Sequence, residues 1–156
     1  MGLPPRFVTL GSFYFTGMPF VFGDDGVVLT DAGTGYFRGK NYKVVNVGYE
    51  RGIGHTDEDD YVVFVDSDTN RIALIHHSVT ENPDIDRVTW TFDEWQEVEG
   101  LLIPAQMTFY AGWNPDNPGD GASFTIEDVK LDMKRPKSSL YKAPADAVID
   151  GSPDNR

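Results

Sequence analysis

The sequence predicts a mainly β protein built on a single curved antiparallel sheet, a meander of six strands with short connections. Three observations predict it. From about residue 41 the apolar residues recur with a period of two, the pattern of strands that bury one face. Sixteen glycines and ten prolines punctuate the 156 residues with turns rather than leaving room for long helices. Consecutive strands on short connections pair as antiparallel neighbours, so the topology follows the chain order.

The elements run as follows. "FYFTGMPFVF", residues 13–22, holds five aromatic rings, a Val and a Met, and Gly17 and Pro19 break it in the middle. It predicts a short helical turn and an irregular segment, spanning 12–23, laid into the concave side of the sheet, which has one apolar face to cover. Residues 41–134 carry the meander. In "NYKVVNVGYE", Val45, Val47 and Tyr49 share a face. "YVVFVDSDTNRIALIHHSVT" reads as two strands joined at Asp66–Asn70, where Asp, Ser and Asn side chains satisfy turn backbone. A second hairpin places Val88, Trp90 and Phe92 on one row, turns at Val98-Glu99-Gly100, and aligns Leu101, Ile103, Ala105, Met107 and Phe109. In "ASFTIEDVKLDMK" the parity changes between Ile126 and Val129, which predicts a β-bulge near Glu127 and Asp128. No window after residue 41 has a helical period. One domain, 1–150, accounts for the chain, with a loosely held tail over 143–156.

Charge and composition exclude several functions. Twenty-five acids against 13 bases give −12, which repels nucleic acid and anionic lipid surfaces, so nucleic acid is not an expected partner. With no cysteine there is no disulfide, thiol nucleophile or thiolate metal site. The apolar opening stretch falls far short of the ~20 residues of a membrane-spanning helix. "MGLPPR" lacks the features of a signal peptide, so if the protein is exported its signal lies outside this chain.

Chemistry-bearing residues are present without a declared motif. "HTDEDD", residues 55–60, sets His55 before four carboxylates, and a solvated acidic loop is favoured over a Ca²⁺ or Mg²⁺ site because consecutive ligands splay. "DSDTN" mimics the start of a calcium loop but puts Arg71 where Gly is required and His77 where a bidentate Glu belongs. His76 and His77, adjacent on a strand, point to opposite faces, one expected inside and one outside. A structural histidine is favoured over a catalytic one. No nucleophile elbow, zinc-type histidine pair, Walker loop or dinucleotide fingerprint occurs, so no metal or cofactor is expected. Seven acids and one base lie between Glu81 and Glu99, but so acidic a chain dilutes the meaning of any carboxylate pair; five bases against Asp132 lie between Lys130 and Lys142 and read as a solvated edge rather than a site for an anionic partner.

Four segments, "YFTGMPFVFGDDGV", "GKNYKVVNVGYERGIGHTDEDDYVVFVDSDTNRIALIHHSVT", "WQEVEGLLIPAQMTFY" and "LYKAPADAVID", resemble in order and spacing the C-terminal part of an uncharacterised family of bacterial envelope proteins, a domain of unknown function whose fold is similar to the LolA-like lipoprotein carriers. The resemblance covers about Phe13 to Asp150. It implies a strongly curved half-barrel with helical material in its concavity, an exported, periplasmic or envelope location, and no established activity. Family members carry roughly as much chain again before the "MPF" segment. Without that half, the first strand near Tyr42 or a neighbour exposes an edge, and self-association to a homodimer is the expected remedy.

Three functions follow as expectations. The first is a non-enzymatic module binding an apolar or lipid-like small molecule between the sheet and the aromatic segment. Phe13, Phe15, Met18, Phe20 and Phe22 would line it from one side, and Trp90, Phe92, Met107 and Phe109 from the other. The second is a hydrolase with His55, His76 or His77 as base and a carboxylate among Asp57, Glu58, Asp59 and Asp60, with His55, His77, Asp57 and Asp59 as the preferred set. The third is a structural protein that associates through its sheet edge. The residues favour binding over catalysis.

Overall fold

The computed structural model of the chain describes residues 5–53, 58–80, 85, 87–131, 134, 137–142 and 145–146. His55 and Asp57, most of the 143–156 tail and Met133 lie outside them. The described residues form helix α1 (Pro5–Thr16) and strands β1 (Val27–Phe37), β2 (Lys40–Tyr49), β3 (Tyr61–Val65), β4 (Ile72–Ser78), β5 (Arg87–Val98), β6 (Leu101–Tyr110) and β7 (Ala122–Thr125). All seven strands make one antiparallel sheet in the order β1-β2-β3-β4-β5-β6-β7, with β1 and β7 at its edges rather than closed on each other.

The count corrects the expected six. The added strand is β1, whose side chains are exposed along most of its length, so it carries no alternation of buried and open positions for a period to reveal. Backbone pairing makes it a strand, from Val27↔Tyr49 to Phe37↔Lys40. Its hairpin turns on Arg38 and Gly39, with φ of 46° and 80°. Two positive φ values in a two-residue turn match the right-handed twist of the strands. The same geometry recurs at Glu99 and Gly100, φ 50° and 83°, at the predicted β5–β6 turn. In the β3–β4 turn the Asp66 carboxylate accepts from the Asp68 amide at 2.9 Å, the side-chain turn chemistry that the sequence predicts, and the Asn70 backbone amide donates to the Asp66 carbonyl at 2.8 Å.

The last strand differs too. β7 stops at Thr125, and the chain turns away through Asp128, whose φ is +54°, so the parity change ends the strand instead of bulging it. Register shifts occur elsewhere, between Asp31 and Thr34 of β1 and on either side of Glu94 in β5. A 3₁₀ turn, Ser138–Tyr141, follows the sheet, whereas α1 is the helix expected in the first forty residues. That helix is longer than the short turn predicted, and it ends where Gly17 donates to the Phe13 carbonyl at 3.0 Å.

Both faces of the sheet are covered. On one, Tyr14, Phe15, Met18 and Phe22 pack onto Val47, Tyr61, Val63, Ile75, Phe92 and Met107. Each such side chain contributes roughly 1.5–3 kcal/mol when fully buried. On the other face Phe37, Val44, Phe64 and Leu74 form a second cluster. The 111–121 connection folds back over it, setting Trp113 5.7 Å from Phe37, 5.6 Å from Phe64 and 4.8 Å from His76 between ring centroids. Arg38 fastens that cover: its amide donates to the Pro115 carbonyl at 2.9 Å and its guanidinium to the Tyr110 hydroxyl at 2.8 Å. Arg38 lies in the β1–β2 turn and Tyr110 at the end of β6, which is not a neighbour of either strand, so this bond runs across the face rather than along a ladder.

Candidate functional site

Strands β1 to β6 and the segment after α1 border an open apolar cleft of about 410 Å³. Val45 and Val47 of β2 and Val63 and Val65 of β3 form its floor, because residues two apart on a strand share a face. Pro19, Phe20 and Phe22, on and before the 3₁₀ turn Phe20–Gly23, form the roof. Leu29 closes one side from the edge strand, and Trp95, Leu101 and Leu102 close the other. The volume falls within the roughly 300–1,000 Å³ of small-molecule sites. At the mouth, Leu29, Phe20, Leu101 and Leu102 expose large apolar surface to solvent. Scattered single residues of this kind are common, but here they rim one opening.

The residues singled out from the sequence divide between this cleft and the core. Phe20 and Phe22 line the cleft. Phe15, Met18, Phe92 and Met107 are buried in the packed cluster next to it. Trp90, half-buried, stacks on Phe15 at 4.6 Å and meets Phe109 at 5.1 Å and Phe124 at 5.6 Å. Phe13 faces solvent at 72% exposure. The valine floor was legible as the row Val45, Val47, Tyr49. Leu29, Trp95 and Leu102 were not, because β1 shows no period and the register shifts beside Glu94 move Trp95 onto this face.

Along the same face, beyond the valine floor, runs a polar row. Tyr61 sits 5.0 Å from His77, 5.6 Å from Tyr14 and 6.0 Å from Tyr49. The hydroxyls of Tyr14 and Tyr49 and the His77 Nε2 are buried with no hydrogen-bond partner. Burial, aided by the Asp59 carboxylate, pushes the Tyr49 phenol up to about 12. Burial likewise lowers the His77 pKa against the pull of its bond to Ser78 and of Asp59, which keeps the ring neutral at pH 7. His77 Nδ1 donates to the Ser78 carbonyl at 2.6 Å, so the nitrogen that a carboxylate would orient in an acid–base pair is already engaged. Asp59, expected in a solvated loop, is instead buried, accepting from the Ser78 hydroxyl at 3.2 Å and the Thr80 amide at 2.8 Å. Asp60 pairs with Arg87; burial opposes its ionisation, but that bond and charge outweigh it and hold its carboxyl below the usual range.

His76 takes the opposite face, as adjacent strand residues must, yet it is buried as well. The expectation of one histidine outside fails because the 111–121 connection and Trp113 cover the second face. His76 Nδ1 lies 3.0 Å from Thr89 Oγ1, whose own proton goes to the Gly112 carbonyl at 2.7 Å. Among the described residues no three His, Asp or Glu side chains converge where they could hold a metal ion. No described helix is long and apolar enough to cross a membrane.

Fold and cleft together define a mainly β protein whose open antiparallel sheet carries an apolar cleft on one face and a packed aromatic cover on the other. Comparison of the chain with protein-family models, with curated proteins and with solved structures finds no match in any of the three.

Proposed function

We propose that the chain is a non-enzymatic module that binds one apolar or lipid-like small molecule in the cleft under Phe20 and Phe22. The observation that carries this reading is the 410 Å³ cleft itself, which the aromatic segment roofs without filling. Had Phe20 served only to complete the core, it would be buried against the sheet at interior packing density as Met18 is, whereas it stays 48% exposed over the cleft. Each methylene of a guest placed there gains about 0.8 kcal/mol from leaving water, so an alkyl chain of modest length suffices for micromolar affinity. The envelope location implied by the resemblance belongs to the same proposal.

Binding of the uncharged fluorophore N-phenyl-1-naphthylamine tests it, together with native mass spectrometry after gentle extraction. The full chain should brighten the probe, and Leu29→Glu should weaken binding by about tenfold or more by setting a charge in the wall. Leu29 is 56% exposed, so the substitution leaves the core intact. A chain that never brightens the probe and always runs at its bare mass would sink the proposal.

A second reading has one observation in its favour. β1 is an eleven-residue edge strand with Val28, Leu29 and Tyr36 exposed, which suits pairing with a second copy. Gly33, at φ +79° and donating to the Asp31 carboxylate at 2.8 Å, interrupts that edge in its middle and works against it. Sedimentation as a monomer at micromolar concentration would remove this reading.

A further inference from the structure

We infer that the guest of this cleft is an amphiphile with an anionic head, a carboxylate or phosphate, held at the mouth by Arg71. The inference rests on the cleft reading and adds the chemistry of the head. Among the lining residues three carry hydrogen-bonding side chains, Asn70, Arg71 and Trp95, and no Asp or Glu is among them. The guanidinium offers five N–H donors, the indole one, and the amide two, so the polar part of the wall is dominated by donors. Such a set suits an acceptor-only group, and beside a fixed positive charge it suits an anion.

Arg71 is free for the role. Its backbone carbonyl accepts from the Asp66 amide at 2.9 Å, which fixes the residue at the end of the β3–β4 turn. Its guanidinium makes no ion pair with any described residue, although the chain carries 25 acids against 13 bases. The two acids closest in sequence are engaged elsewhere: Lys40 Nζ lies 2.9 Å from Asp66 and 3.2 Å from Asp68. The Lys40 hydrogen bond, with the Asp68 amide, holds the Asp66 carboxyl below its usual range, so it stays anionic and turned to Lys40. A cation left unpaired on an apolar wall, in a chain this acidic, is placed where an anionic partner would complete it. Because Arg71 is exposed at the rim, the head keeps part of its hydration and avoids the cost of full charge burial, while the tail occupies the valine floor.

Displacement of N-phenyl-1-naphthylamine from the full chain decides the matter, using palmitate, lysophosphatidate and hexadecanol as competitors of similar tail length. Palmitate should displace about tenfold more tightly than hexadecanol, with the preference shrinking as salt is raised. Arg71→Met should abolish the preference for palmitate over hexadecanol, with each competitor's displacement referred to the variant's own affinity for the probe. Whichever of palmitate and lysophosphatidate competes better names the head as carboxylate or phosphate, and inorganic phosphate alone should not displace the probe. Equal displacement by palmitate and hexadecanol, or a palmitate preference that survives Arg71→Met, overturns the assignment and leaves the cleft standing. A probe that never binds removes the cleft and the assignment together.

Discussion

Acid should destabilise this protein through His76 as the pH falls below about 6.5. Burial first, then the Arg87 cation and the neighbouring His77, push the His76 pKa down to about 4 against 6.5 for a free ring. Between those values the unfolded chain holds a proton that the folded chain refuses. Stability is therefore complete above about pH 6.5 and is lost as the pH falls toward 4. With the full shift, the linkage relation yields a loss of about 2 kcal/mol at about pH 5; screening at the ring's open edge reduces this to roughly 1–2 kcal/mol. His77, also depressed chiefly by burial, acts in the same direction. Asp60 and Asp66 do not interfere, because both carboxyls lie below their usual range and stay charged through the window. Urea midpoints, followed by tryptophan fluorescence from about pH 7.5 to about pH 4.5, measure the effect. His76→Gln keeps a donor toward Thr89 and should flatten part of the slope. A second signal is local, since protonation of a ring 4.8 Å from Trp113 should quench that indole. A wild-type midpoint that does not move with pH, or an unchanged slope in His76→Gln, would refute the reasoning.

Three further outcomes follow from particular contacts. Tyr49→Phe removes a buried hydroxyl with no partner, so it should raise stability by about 1 kcal/mol and the melting temperature by roughly 2–4 °C in calorimetry; a loss instead would mean that the hydroxyl is bonded. Gly35→Ala would put a Cβ 2.5 Å from Phe64 Cε1 and 2.8 Å from Val44 Cγ2, both in the second core, and should cost about 1–3 kcal/mol in urea denaturation. Ile75→Ala empties a position with 0% exposure at the centre of the first core and should cost about 2–5 kcal/mol; a smaller cost would show that α1 collapses into the gap.

Strands were readable where burial on one face imprinted a period. Val45, Val47 and Tyr49, or Val88, Trp90 and Phe92, announce β2 and β5 because each alternate side chain meets the core. The Asp66–Asn70 and Glu99–Gly100 turns were readable for a local reason: their residues satisfy or tolerate the turn backbone on their own. β1 was not, since an exposed edge strand is held by backbone ladder bonds that any side chain permits. Trp113 was not either, because a loop residue declares no partner until the chain has folded back over Phe37, Phe64 and His76.

The sequence by itself determined the mainly β class, the antiparallel order, the two hairpin turns, the opposite facing of His76 and His77, and an aromatic segment that had to cover the sheet. These depend on side-chain period, turn chemistry and net charge, all of which act between residues close in the chain. Only the tertiary structure decided that both histidines are buried, that Phe15 and Met18 fill core while Phe20 and Phe22 roof a cleft, and that Arg71 stands on its wall. Those outcomes turn on how far the roof sits from the floor and which loop crosses which face. The burial energy of a ring is the same against protein or guest, so composition and pattern cannot distinguish a filled core from a pocket.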